Sequence, residues 1–439
     1  MNKKVRNLLP WGVVFIISAA VFSGHFGVGD LIFPPILGRG AGVLWFIAAL
    51  GYGVINSLGV FIAYLAVSIQ DKSLFGLTSR VLGKNFGIVF TTLSMLIIGP
   101  VFILPRVSSA THEMAVAQFF PTIPLWVTLL IYFALNFYFA SNRSKVIDRL
   151  GKYLAPILIL FMIILVIKGI VAPLASPVSP GSPTAFTDGI LNGYNTMNAL
   201  GAALFGLWLI NEFSMRGLKD RESRKNNLII IGSITAFGLF LTSTVLTYLG
   251  ASSGAKFPEA PIGVLTVEFA RGLLGYFGII VFAIILSFAN ITTSVGLTST
   301  AGDTFEQMTN GKLKYTTTVA LSCVVGFLIG LIGLSKVVGY TVPWLMLIYP
   351  ALVVILIMGL FSKFERVKLA TQVGVIVAVI FSIGDFLPGL GFGNNFFTKM
   401  NSLLPLGKQG MAWLLPVVIA VIVFQIISTF SRPKTLAKT

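Results

Sequence analysis

An aspartate, a histidine and three glycines stand together in FSGHFGVGDLIFPP, residues 22–35, and two prolines close the run. The stretch is otherwise apolar enough to cross a bilayer. Asp30 offers a carboxylate for a cation or an ammonium group. His25 offers either a packed neutral ring or an imidazole, the side chain that ordinarily titrates near neutrality. Gly24, Gly27 and Gly29 each weaken a helix interior by roughly 1 kcal/mol, and Pro34 and Pro35 by about 3 kcal/mol each. Close helix packing through small residues explains glycines. It does not explain a carboxylate at membrane depth, which is retained where it faces a cavity, a cation or a partner. Unwound backbone is tolerated only at such cavities. The stretch therefore predicts a broken helix with Asp30 at the break.

Two further clusters have related chemistry. GILNGYNTMNALGAALFG, residues 189–206, places Gly193, Tyr194, Asn195, Thr196 and Asn198 in another apolar segment and predicts a second broken helix. ANITTSVGLTSTAGD, residues 289–303, places Thr293 and Ser294 three and four positions after Asn290, on one helix face. Hydroxyls with carbonyls form a hard-oxygen set suited to a small hard cation. The plainer alternative is that these hydroxyls bond back to their own helix.

The elements that must position these residues are membrane spans. The 439 residues are 56% hydrophobic and 10% charged, against about 25% charged in a soluble domain. Apolar runs near 20 residues long recur throughout. They predict an all-α polytopic membrane protein of about twelve spans, at 11–37, 43–69, 86–108, 125–141, 150–171, 188–210, 227–250, 273–302, 316–334, 338–360, 369–388 and 411–430. The broken spans are the first and the sixth, five elements apart, as two inverted five-helix repeats require. The first repeat then covers 11–171 and the second 188–360. Two extra helices occupy 369–430 of a single transport domain, 1–430, and 431–439 form a cytoplasmic tail.

The net charge of +17 is a matter of topology. With the N-terminus inside, Lys3, Lys4 and Arg6, the basic loops within 72–84, 143–152, 216–225, 312–314 and 363–368, and Arg432, Lys434 and Lys438 all fall on one side. The positive-inside rule places that side, and both termini, in the cytoplasm. The basic excess serves orientation and lipid contact and does not indicate nucleic acid. The apolar segment after MNKKVRNLLPWGVV is too long for a cleaved signal and lacks a cleavage site. Cys323 alone gives no disulfide, and His25 and His112 alone give no zinc or haem site. No Walker-type phosphate loop appears. An ion gradient remains as the energy source, and no cofactor is expected.

The segments GVGDLIFPP, IGPVFILPRVSSATHE, GYNTMNALGAALFG, TTSVGLTSTAGDTF, VPWLMLIYP and LPLGKQGMAWLLP occur in that order over nearly the whole chain. Together they resemble the branched-chain amino acid:cation symporter family, the BrnQ-type carriers. The resemblance implies sodium-coupled uptake of leucine, isoleucine and valine by a multi-pass carrier of a prokaryotic plasma membrane, with the five-plus-five inverted-repeat fold. It implies one sodium held by carbonyls near Ser23 and Phe26 with Asn290, Thr293 and Ser294. A second sodium site would use the His25 backbone, Asp30 and Thr196. Gly24, Gly27, Gly29, Asp30, Gly193 and Asn198 would border the substrate, whose side chain would rest on Val28, Ile98, Tyr194 and Phe205.

The chain departs from the family at two places. The family usually has Asn at the position of Asp30 and Asp at that of Asn198. The pair reads as a compensated charge exchange if the two positions meet. His25 stands where an apolar residue is usual, which makes proton coupling or another small amino acid substrate the alternative. Arg106 and Glu113, about two helical turns apart, are gating candidates at the outer end of span three. A channel would need a pore element and an enzyme a nucleophile–base pair, and neither stands out.

Overall fold

The computed structural model describes residues 8–260, 263–392 and 396–430. The basic residues 3, 4, 6, 432, 434 and 438 and the predicted tail 431–439 lie outside that range. Among the described residues the fold is helical, without strands. Seven helical stretches among them are long and apolar enough to cross a membrane, and Trp11–His25, Leu125–Ala140, Tyr315–Gly330 and Leu414–Phe430 are shorter apolar helices. Spans are numbered below by the predicted segments on which these helices fall.

Span 1 is divided into Trp11–His25 and Val28–Ala41. Span 6 is divided into Ala185–Tyr194 and Asn198–Met215. Span 3 is not the uninterrupted helix that its hydropathy suggests. Lys84–Leu96 runs into a wide turn at Ile97–Val101, where Gly99 leaves helical geometry (φ −105°, ψ −121°) beside Pro100, before Ile103–Thr111 resumes. The cause is local. Pro100 has no N–H for the preceding turn and disfavours helical geometry in the residue before it. Helices outside the predicted spans include Leu74–Leu82, which Ser73 caps, Val264–Leu274, which ends where span 8 begins, and Phe396–Ser402.

Polarity is arranged for a bilayer. Phe237, Leu241, Ile131 and Val171 point outward and are exposed, whereas Asn56, Asn136, Asn290 and Thr298 are fully buried. The buried amides tie spans together, as where Asn136 Nδ2 donates to Thr298 Oγ1 at 2.9 Å between spans 4 and 8. Span 7, Arg221–Ser253, lies directly on the second half of span 1. A Cβ on Gly38 would run into the Thr247 carbonyl, and one on Gly250 into the Pro35 carbonyl. That approach replaces hydrophobic driving force, which is absent in lipid, with van der Waals packing.

The second half of span 1 also accommodates its prolines. Pro35 cannot donate to the Leu31 carbonyl one turn back. The Thr266 hydroxyl, from the helix Val264–Leu274, donates to that carbonyl at 3.1 Å instead.

Candidate substrate and cation site

The two helix breaks face each other. In span 1 the backbone leaves helical geometry at Phe26 (φ −75°, ψ 86°) and is extended at Gly27 (φ −114°, ψ −165°). Asp30 is not at the break itself but three residues beyond Gly27, in the first turn of the second half-helix. Its N–H donates to the Gly27 carbonyl at 3.0 Å. A carboxylate there is favoured by the positive end of the helix dipole. In span 6 the break includes Met197, a non-glycine residue in the left-handed region (φ 61°). Such a conformation costs about 1–3 kcal/mol and persists where surroundings impose it. Thr196 supports it, donating from Oγ1 to the Gly193 carbonyl at 2.8 Å and accepting from the Asn198 N–H at 3.3 Å.

Asp30 and Asn198 meet directly. Asn198 Nδ2 donates to Asp30 Oδ1 at 3.0 Å and Oδ2 at 3.1 Å, and also to Asn56 Oδ1 at 2.6 Å. All three side chains are buried. His25 is adjacent but turns toward span 2, where its Nε2 lies 2.9 Å from the Tyr64 hydroxyl, and it packs on Phe205 at 4.8 Å between ring centroids.

Span 8 supplies the oxygen-rich wall. Thr292 Oγ1 lies 2.8 Å from the Ser23 carbonyl and within 2.9 Å of the Phe288 and Ala289 carbonyls, and Thr293 Oγ1 lies 3.4 Å from the Ser23 carbonyl. The Phe288 and Ala289 carbonyls lie one turn back on the same helix, so Thr292 bonds back to its own span as well as across to span 1. The Ser23 carbonyl with the Thr292 and Thr293 hydroxyls is an oxygen set that suits a hard cation. No grouping of three or more His, Cys, Asp or Glu that could hold a metal occurs among the described residues.

Between these walls lies a small cavity bordered by Gly24, Val28, Asp30, Arg106, Asn198 and Phe205, among others, with room for only ≈ 10 Å³ of solvent. That is about one water.

A model of the family described as "branched-chain amino acid transport protein" matches residues 12–431. The chain belongs to this family. Among relatives, this branched-chain family member is 30% identical over 441 residues to the branched-chain amino acid permease BraB of Bacillus subtilis, covering 98% of each chain. It is 32% identical over 456 residues to the permease BrnQ of the same organism, covering 99% of this chain and 100% of that one. It is 30% identical over 410 residues to the branched-chain amino acid transport system 2 carrier protein of Pseudomonas aeruginosa, covering 91% and 92%. Its fold is that of the leucine-transporter type. Mhp1, a nucleobase-cation-symport-1 family transporter in a closed conformation with bromovinylhydantoin bound, superposes with TM-score 0.61 at 14% identity, over 95% of this chain and 92% of that one. MhsT in complex with L-phenylalanine gives 0.52 at 13%, over 95% and 98%.

Several residues of this family member stand elsewhere than its sequence suggests. Arg106 is not at the end of span 3 and does not pair with Glu113. It is 3% exposed, borders the cavity, and donates from Nη1 to the Asn195 carbonyl at 3.0 Å. Glu113 Oε1 instead accepts from the Leu334 N–H at 2.9 Å. Ile98 is buried away from the cavity, and Ile103 and Val107 border it in its place, because the turn at Gly99 shifts the helix register.

Tyr194 stacks on Tyr349 at 4.7 Å and does not border the cavity, and Gly193 packs against Ile55. The Phe26 side chain stacks on Phe22. Asn290 faces span 3, donating to the Val107 carbonyl and Thr111 Oγ1, each at 3.0 Å. Ser294 Oγ is buried beside the Tyr132 hydroxyl without a hydrogen bond of ordinary geometry. Positions 290, 293 and 294 share a face about 100° wide on a helix, too wide for all three to meet span 1. Thr292 and Thr293 flank the direction that does. Thr292 and Asn56 were missed, the first because it lies off the chosen face and the second although it is the one side-chain amide in the apolar segment 43–69, the signal that could have found it.

Proposed function

We propose that this chain is a secondary active transporter that carries leucine, isoleucine and valine into the cell together with sodium, by alternating access. The observation that carries the reading is the meeting of two broken helices at Asp30 and Asn198 beside a carbonyl and hydroxyl cluster, in a family named for branched-chain amino acid transport. Freed N–H groups at the start of Val28–Ala41 suit a substrate carboxylate, and Asp30 with the unwound carbonyls suits an ammonium. Val28 and Phe205, with Ile103, form the apolar wall. Burying one aliphatic side chain contributes about 1.5–3 kcal/mol, enough to favour these substrates over glycine. Sodium would sit among the Ser23 carbonyl and the Thr292 and Thr293 hydroxyls. The first two spans of each repeat would rock against the others in the plasma membrane, with both termini in the cytoplasm.

Uptake of radiolabelled leucine into proteoliposomes, driven in turn by an imposed sodium gradient and an imposed proton gradient, tests this. Accumulation with sodium alone supports it. Accumulation only with protons would assign the coupling to the His25 and Asp30 neighbourhood instead, and the sodium reading would fall.

A further inference from the structure

We infer that Arg106 receives the carboxylate of the transported amino acid. The inference rests on the amino-acid carrier reading above and adds the residue that recognises the substrate's charged end. Arg106 is a guanidinium in the middle of an apolar bundle, where a charge is costly unless it serves a function. It is buried on every side except the cavity and makes no ion pair among the described residues. Its one hydrogen bond goes to the Asn195 carbonyl, and its Nε has no partner. Phe33 lies under the guanidinium carbon at 5.9 Å from the ring centroid. An arginine with a planar fork of donors and unused hydrogen-bonding capacity is matched to a carboxylate, which accepts two parallel bonds from such a fork.

The surroundings fix where that carboxylate would lie. Gly29 is the second residue of the half-helix Val28–Ala41, and a Cβ there would stand 2.9 Å from Arg106 Nη2. The absence of a side chain lets the guanidinium reach the helix start, where the first N–H groups precede any intrahelical acceptor. A carboxylate at this point would take bonds from Arg106 and from the backbone together. Asp30, on the same cavity, then faces the ammonium, and the zwitterion lies along the line between the two fixed charges with its side chain toward Phe205. Arg106 comes from span 3 and meets the first turn after the break of span 1 and the break of span 6. A substrate held there would join all three.

The test compares leucine with leucinamide, which keeps the ammonium and the side chain but lacks the carboxylate. Each is radiolabelled and bound to the full-length chain in lipid nanodiscs at saturating sodium. The wild type should bind leucine far more tightly than its amide. Arg106→Gln should weaken leucine by roughly 10- to 150-fold, the range for a hydrogen bond to a charged group, and change leucinamide less than about threefold. Arg106→Lys should fall between. A purely structural tie to Asn195 would weaken both ligands equally, and that result, or equal binding of leucine and its amide by the wild type, overturns the inference.

Gly29→Ala changes no charge and crowds Nη2. It should also lower the leucine-to-leucinamide ratio, which keeps the test alive if Arg106→Gln does not fold. An unchanged ratio in Gly29→Ala counts against the inference. If the wild type prefers an amino acid outside the branched-chain set, the substrate reading fails while Arg106 is tested with that amino acid and its amide. Binding of no amino acid sinks both.

Discussion

Asp30→Asn should cut sodium-driven leucine uptake, and adding Asn198→Asp should restore most of it. Asn198 Nδ2 bridges both Asp30 oxygens at 3.0 and 3.1 Å, with the two residues 2% and 4% exposed. A hydrogen bond to a buried charge contributes about 1.5–3 kcal/mol; Asp30→Asn keeps one acceptor oxygen for Asn198 but removes the charge, so the reduction is at most roughly 10- to 150-fold. Asn198→Asp alone should be at least as harmful. It sets two carboxylates against each other, a repulsion of up to about 4 kcal/mol at 4 Å for an effective dielectric of 20. In the double variant the amide at position 30 donates to the carboxylate at 198, the same contact with donor and acceptor exchanged. Uptake should return to within about tenfold of wild type, with an interaction energy of about 2–3 kcal/mol, at the upper end for residues in contact. The assay is initial-rate uptake into proteoliposomes, normalised to the carrier in each preparation. Additivity within about 0.5 kcal/mol would refute the reasoning, because it would mean that the contact does not matter to transport.

Thr293→Val and Thr292→Val should each raise the sodium concentration for half-maximal uptake, by about tenfold, while Asn290→Ala should lower thermal stability with the sodium requirement unchanged; a sodium titration of all three variants would expose the opposite pattern. Gly250→Leu, which drives a side chain into the Pro35 carbonyl, should destabilise the folded protein by more than the about 1–3 kcal/mol usual for overpacking, read as a lowered melting temperature in detergent. Arg143 binds Asp303 and Glu306 at one end of span 8, so Arg143→Ala should open that end and raise the labelling rate of a cysteine placed at Ser299; an unchanged rate would show that the pairs do not hold it closed.

How far the sequence could be read depended on what each signal reports. Helix breaks announce themselves, because Gly27 and the Thr196–Asn198 segment contradict the apolar helices that contain them. The nearness of Asp30 and Asn198 entered only as the condition for a charge exchange against the family pattern, and the bonds between them meet that condition. The direction of a side chain was not. Asn290, Thr293 and Ser294 lie on one face, yet that face meets spans 1, 3 and 4, and only packing decides which residue meets which. Arg106 was misplaced for a different reason. Hydropathy ends span 3 near an arginine, whereas Gly99 and Pro100 bend the helix and carry the residue into the centre.

The bond from Thr266 to the Leu31 carbonyl sets what can travel as one piece. A helix that leaves its neighbour ordinarily keeps its own hydrogen bonds, but the Leu31 carbonyl has no donor to fall back on while Pro35 stands one turn later. Separating the two helices would strand a buried carbonyl, at a cost of about 1–3 kcal/mol, and add that amount to the barrier of every transport cycle. The second half of span 1 and the helix Val264–Leu274 should therefore swing together as a hinged door with its own doorstop, and the slow step of the cycle should be sought at the edges of that composite body.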